Sequence, residues 1–413
     1  MSSLSPQRAD QLREIASEYG TPTYVYDAEV IRKQFRRLKK FDIVRFAQKA
    51  CSNTHILRLL REEGAVVDCV SAGELDRALA AGFEPGADPA QIVFTADIIT
   101  PDAIERVVEL GVPVNAGSPD MLTQIGEANP GHPVWLRINP GFGHGHSKKT
   151  NTGGESSKHG IWHENIHEAL ELIDKYNLKL VGIHMHIGSG AEIDHLSRVC
   201  DAMVEQVKTA GRDIEAISGG GGLSIPYSPN DPEVDVDAYF DKWDEARRHV
   251  EEIVGHKVHL ELEPGRFLAA QAGSLIAEVR GQKQTGSNRY VLVDAGFNDL
   301  MRPVMYGSRH EMELLPHDGR DMDAPTPTVV AGPLCESGDI FTQLPGGDVD
   351  ARPLPPTETG DLLVFKDAGA YGSVMASNYN SRPLAAEVMI DGDDIRLIRR
   401  RQTIEDLLAL EEV

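Results

Sequence analysis

A (β/α)8 barrel joined to a mainly β domain is the fold class that the sequence predicts, and three observations carry it. Eight short apolar runs, at 43–47, 66–69, 92–94, 112–114, 134–138, 180–186, 214–217 and 258–262, alternate with segments of helical spacing. After Gly265 the texture changes: strand-like runs are separated by Gly, Pro and Asp, and long helical patterns are missing until Thr403. The chain has 413 residues, too many for one ordinary domain but suited to a barrel of about 250 residues with a smaller partner.

Taken in order, the helical segments include 54–63, 73–81, 103–110 and 236–254, each lying between two of the apolar runs. Strands alternating with helices imply parallel βαβ units. An open doubly wound sheet is the alternative, and the count of eight favours a closed barrel. Beyond it, 291–294, 329–331, 362–365 and 386–390 read as strands. The barrel is assigned to 27–268, and the β domain to 269–413 together with 1–26. Two stretches read as loops, 141–160 and 317–328. The first follows a barrel strand, a position where active-site lids occur.

Composition narrows the function. Lys and Arg number 41 against 64 Asp and Glu, a formal net charge of −23. Such a surface disfavours nucleic acid and anionic membranes as partners. The four cysteines, Cys51, Cys69, Cys200 and Cys335, are widely spaced with no C-x-x-C pair, so neither a disulfide framework nor a metal site is expected. No stretch is long and apolar enough to cross a bilayer. The polar N-terminus lacks the apolar core of a signal peptide, and the cytoplasm is the expected location.

Barrels of this kind do their chemistry at the C-terminal ends of the strands, and the unusual residues cluster there. Lys49 follows the first run in Phe46-Ala-Gln-Lys49-Ala-Cys51; alone it is an ordinary snorkelling lysine, and at a strand end it also suits a Schiff-base amine. Asp68 and Ser71 lie at the second strand end, Asn139 at the fifth and His186 at the sixth. His184 and His186 are expected to face opposite sides of their strand, which would argue against a metal pair, and core burial is the ordinary fate of each. Gly219-Gly-Gly-Gly222 follows the seventh run without G-x-G-x-x-G spacing; a tight turn explains it, as does an anion held by backbone N–H groups. Glu263-Pro-Gly265-Arg266 ends the eighth, a second loop suited to one phosphate. The β domain carries Asn298-Asp-Leu-Met-Arg302-Pro-Val-Met-Tyr306, Cys335-Glu336-Ser-Gly-Asp339, Asp367-Ala-Gly-Ala-Tyr371-Gly372 and Ser377-Asn-Tyr-Asn380. Turn chemistry and surface ion pairs explain any one of these taken singly.

Together these motifs, in this order, closely resemble the bacterial diaminopimelate decarboxylases, within the fold-type III pyridoxal-phosphate decarboxylases. The resemblance runs from Thr21-Pro-Thr-Tyr-Val-Tyr26 to Ser381-Arg-Pro383, and its most specific parts are Cys335–Asp339, Asp367–Gly372 and Ala376–Asn380. Departures from the commonest family forms are Cys51 after Ala50, His159 before Gly160, and Gly190 after Ser189.

The resemblance implies an alanine-racemase-like barrel and a homodimer whose shared active sites are completed by the partner's β domain. It implies decarboxylation of meso-2,6-diaminopimelate to L-lysine, the last step of lysine biosynthesis. Lys49 would carry pyridoxal 5'-phosphate, His186 stack on its ring, Glu263 pair with the ring nitrogen and Asp68 support the ring side. Ser189, Gly221, Gly222, Gly265, Arg266 and Tyr371 would hold the phosphate. Arg302, Tyr306 and Glu336, with Arg266 and Tyr371, would grip the substrate, and Cys335 would donate the proton. An arginine matches a distal carboxylate with two parallel hydrogen bonds, which disfavours ornithine and arginine as substrates. Carboxynorspermidine decarboxylation, racemisation and a non-catalytic cofactor-binding role are the other readings.

Overall fold

The computed structural model describes residues 4–143, 151–188, 193–318, 320 and 322–411. Ser189, Gly190, His144 and His146 lie outside the described residues. The chain forms two compact units, one of residues 32–224 and 233–268, the other of the residues up to 31, 225–232 and 269–413. Residues 27–31 and 225–232, assigned above to the barrel, therefore group with the second unit.

Strand β1 (Thr23–Asp27) belongs to the second unit. The first unit is built from β2 (Ile43–Ala47), β3 (Val66–Cys69), β4 (Ile92–Ala96), β5 (Val114–Ala116), β6 (Pro133–Asn139), β7 (Ile161–Trp162), β8 (Lys179–His184), β9 (Ala216–Ser218) and β10 (His259–Leu262). Eight of these pair in parallel in the order β2-β3-β4-β5-β6-β8-β9-β10, and β10 pairs back onto β2, with Glu261 opposite Ile43, to close the barrel. The two-residue β7 is added beside β6. Both faces of such a sheet are covered, so its strands read as continuous apolar runs; Phe46, Val67, Phe94, Leu136 and Ile217 are fully buried.

Four of the connecting helices begin on side-chain caps: Asn53 for Thr54–Glu63, Ser71 for Ala72–Ala80, Ser118 for Pro119–Ala128 and Asp235 for Val236–Val254. Such caps satisfy N–H groups that have no partner in the first turn. Ser71 is thus spent on helix geometry. Strand β8 stops at His184, two residues before the end of its apolar run. Past it the backbone turns to other partners: the Ile187 carbonyl accepts from the Thr152 N–H at 3.3 Å and the His186 carbonyl from the Thr152 hydroxyl at 2.9 Å.

The second unit is a nine-stranded sheet made of β1 with β11 (Gly273–Thr285), β12 (Asn288–Val293), β13 (Met312–Leu315), β14 (Thr326–Ala331), β15 (Arg352–Leu354), β16 (Leu362–Phe365), β17 (Ala386–Asp391) and β18 (Asp394–Arg399). Its main path is β15-β14-β12-β11-β1-β17-β18, with β16 joining β11 to β13. Strand β1 runs antiparallel to β11 and parallel to β17, so an N-terminal segment lies mid-sheet. The helix Pro6–Tyr19 lays Ala9, Leu12 and Ile15 onto Val25, Ile276, Val364 and Val388. Thr403 opens the last helix, Ile404–Leu408, with a reciprocal capping box. Among the described residues no helix is long and apolar enough to cross a membrane.

Candidate active site

The barrel's C-terminal mouth gathers its polar residues at strand ends. Lys49 is exposed on the single 3-10 turn Gln48–Ala50 directly after β2. That turn is held from within by buried Gln48, whose amide donates to Cys69 Sγ at 2.8 Å and to the Glu74 carbonyl at 3.0 Å. Glu263, just past β10, accepts from His184 Nε2 at 2.9 Å and from the Ser218 hydroxyl at 3.1 Å. Burial pushes its carboxyl up, but His184, Arg45 and Ser218 outweigh that and hold it well below the ordinary carboxylate range. Asp68, on β3 and 2% exposed, goes the other way. Burial and the Glu263 charge push it up to about 8 against the pull of Lys49 and Thr95. One carboxyl is an anion and the other a neutral acid at the same mouth, a pairing that separates acid from base roles.

His186 is half-buried, and its imidazole is kept neutral by burial and by the nearby charges of Arg137, Lys49 and His184. The expectation that His184 and His186 face opposite sides fails. Residues two apart share a strand face, and both imidazoles sit within the field of Glu263. The glycine run packs against them. Gly220 has φ +62°, and a Cβ there would stand 2.6 Å from the His186 Cβ. Gly222 has φ +112°, and a Cβ would strike the Gly188 carbonyl. A Cβ on Gly221 would stand 2.6 Å from the Glu263 carbonyl oxygen. Gly265 is buried, and Arg266 opens the short helix Arg266–Ala269.

The sequence reading gives Arg137 no role and His184 only core burial, yet both have charge contacts at this mouth. Arg137 is 6% exposed on β6, paired in register with His184, and feels Asp97, Glu263 and Asp68. A lone arginine in the apolar run Val134-Trp-Leu-Arg137-Ile138 was the available signal, since a buried guanidinium requires partners. His159, one of the departures named above, hydrogen-bonds the Asp97 carboxylate through Nδ1.

The second unit holds the other motif residues. Arg302 and Tyr306 bound the short helix Arg302–Tyr306, with Arg302 4% exposed. Cys335 and Glu336 are exposed on a loop clamped from below. Asp339 accepts from the Phe297 and Leu334 N–H groups, each at 2.8 Å, and the Cys335 N–H donates to the Asn380 side chain at 2.9 Å. Tyr371 has φ +56° and Asp367 φ +58°, strained geometry of the kind kept at functional turns.

A family model of pyridoxal-dependent decarboxylases, for their pyridoxal-binding domain, matches residues 27–270. The diaminopimelate decarboxylase of Streptomyces coelicolor is 64% identical over 403 residues, covering 97% of this chain and 91% of that protein. The chain belongs to the diaminopimelate decarboxylase family. A crystal structure of a diaminopimelate decarboxylase matches with TM-score 0.96 and 60% identity, covering 100% of this chain and 98% of that one. The Helicobacter pylori diaminopimelate decarboxylase complexed with L-lysine matches with TM-score 0.84 and 31% identity, covering 97% and 99%. Both barrel and sheet unit are therefore those of the diaminopimelate decarboxylases.

The family's cofactor is pyridoxal phosphate, and the residues present fit it. The Asp68 Oδ1 and His186 Nδ1 atoms are buried without a hydrogen-bond partner, polar capacity that a bound group can use. A backbone cradle that no side chain can enter, at Gly220 and Gly222, suits a phosphate.

Proposed function

We propose that the chain decarboxylates meso-2,6-diaminopimelate to L-lysine, the last step of lysine biosynthesis, with pyridoxal 5'-phosphate carried on Lys49. The observation that supports this substrate is Arg302: a buried, permanently charged fork in the sheet unit suits a second carboxylate, the group that separates diaminopimelate from lysine. When bound, pyridoxal phosphate supplies a ring that takes up the electrons left on Cα as the carboxylate departs.

The chain's own residues have separate tasks in this reading. Glu263, kept ionised by His184 and Arg45, holds a proton on the cofactor's ring nitrogen. Neutral His186 offers an uncharged face for stacking, and Asp68, protonated, offers a donor. Gly221, Gly222, Gly265, Arg266 and Tyr371 hold the phosphate. Arg302 takes the distal carboxylate, Glu336 the distal ammonium, and Tyr306 lines the same end. The Cys335 thiol delivers one proton to Cα from the partner chain of a cytoplasmic homodimer, a role that an exposed thiol on a clamped loop suits.

Purified protein assayed in parallel on meso-diaminopimelate, ornithine, arginine and lysine tests the proposal. The expected preference for meso-diaminopimelate is on the order of 10⁴, because the other substrates leave a buried arginine without its carboxylate. Equal rates would overturn the substrate. An imine absorbance band that persists in Lys49→Ala would overturn the role of Lys49.

A further inference from the structure

The guanidinium of Arg302 is met by side chains from outside its own helix. Nη1 donates to the Tyr227 hydroxyl at 2.8 Å and faces His310 Nε2 at 3.3 Å, while Nη2 donates to the Ser308 hydroxyl at 3.2 Å. Arg302 Cζ lies 4.7 Å from the centre of the Tyr227 ring, inside the range of a cation–π contact. The Tyr227 and His310 rings meet edge to face, 5.7 Å apart at 74°. His310 is itself fixed. Its Nδ1 stands 2.8 Å from the Lys366 carbonyl, which can only accept, so Nδ1 carries the hydrogen and Nε2 turns a lone pair toward Arg302. A protonated His310 would instead aim a donor at a cation.

Tyr227 comes from the segment between β9 and the helix Val236–Val254. That loop is stiff. The Asp231 carboxylate accepts from the Tyr227 and Ser228 N–H groups, each at 2.9 Å, and the Asp231 N–H returns to the Ser228 carbonyl at 3.0 Å. Pro226, Pro229 and Pro232 fix further backbone angles. A long arginine side chain ordered only on binding costs affinity, and one ordered beforehand does not.

We propose that Tyr227 and His310 are positioning residues that set Arg302 for the substrate's distal carboxylate, so that substrate choice depends on the 225–232 loop as well as on Arg302. This rests on the reading of Arg302 under Proposed function. Because the product is L-lysine, the carboxylate that Arg302 holds is the one retained on the L centre, and the product keeps it. The diamine 1,5-diaminopentane has no carboxylate and is blind to Arg302.

The holoenzyme and Tyr227→Phe, which keeps the ring and loses the hydroxyl, separate the outcomes. In the variant, KM for meso-diaminopimelate and the inhibition constant of L-lysine each rise about tenfold, with kcat within about twofold. The inhibition constant of 1,5-diaminopentane and the cofactor absorbance spectrum stay at their wild-type values. Asp231→Ala, which leaves Tyr227 chemically intact, moves the same two constants about threefold, and it carries the test if Tyr227→Phe fails to retain cofactor. An unchanged KM, or all constants moving together as for a general loosening, overturns the proposal. If the wild type does not turn over meso-diaminopimelate, the functional reading falls instead.

Discussion

Asp68 and Glu263 share one buried mouth but carry different charges, and the difference follows from their partners. Glu263 has His184, Arg45 and Ser218 around it and stays ionised; Asp68 has burial and the Glu263 charge against it and keeps its proton at neutral pH. The Asp68 carboxyl therefore loses its proton as pH rises through about 8, putting a second anion beside Glu263. A group whose pKa is raised by folding stabilises the fold below its unfolded pKa, and that contribution is lost as pH rises through the folded value. The expected result is a fall in kcat/KM on the alkaline side that is absent in Asp68→Asn, together with a stability difference between the two proteins that widens in favour of the variant as pH rises from about 4 to about 8 and is level above that. An alkaline limb unchanged in Asp68→Asn would assign it to another group. Lys49 and Glu263 were legible in the sequence because strand ends are where barrels place chemistry. Arg137 and His184 were not, because inside an apolar run a polar residue looks like an interruption until its partners, supplied by other strands, are known.

Asn139 ties together the described parts of the loop after β6. Asn139 Oδ1 accepts from the Gly141 N–H at 3.1 Å and the Gly154 N–H at 2.8 Å, and its Nδ2 donates to the Gly154 and His159 carbonyls at 3.2 and 3.1 Å. The Thr152 hydroxyl in the same loop reaches the His186 carbonyl. Asn139→Ala removes four hydrogen bonds at about 1 kcal/mol each at most, and limited proteolysis is expected to cut within 151–160 several-fold faster, with activity reduced. Cutting at the wild-type rate would show that Asp97, through His159 and Gly160, holds the loop unaided. Elements of this kind were only partly legible. The barrel strands announced themselves because both faces are covered. Strand β11 did not, because its polar second half, Lys283-Gln-Thr285 included, is exposed and kept extended by pairing with β12, so no alternation marks it. The 225–232 segment read as part of the barrel because chain order gives no sign that it packs with the sheet unit.

The residues proposed to act together are divided between units: Lys49, Asp68, His186 and Glu263 in one, Arg302, Cys335 and Glu336 in the other. If each site takes its second half from a partner chain, Lys49→Ala and Cys335→Ala proteins, each inactive alone, recover roughly a quarter of wild-type activity when unfolded and refolded as a mixture, since half of the dimers then hold one intact site. No recovery from demonstrably mixed dimers would place Cys335 with the Lys49 of its own chain. The sheet's strand order has a consequence for how the molecule is made. Strand β1 leaves the ribosome before the barrel strands, yet both of its neighbours, β11 and β17, are encoded beyond the barrel. At ~5–20 residues per second, β1 waits tens of seconds as an unpaired strand while the barrel folds behind it. A nascent chain halted between β11 and β17 would leave one edge of β1 permanently unpaired, so messages cut short there should yield aggregates or chaperone clients rather than a shorter working enzyme.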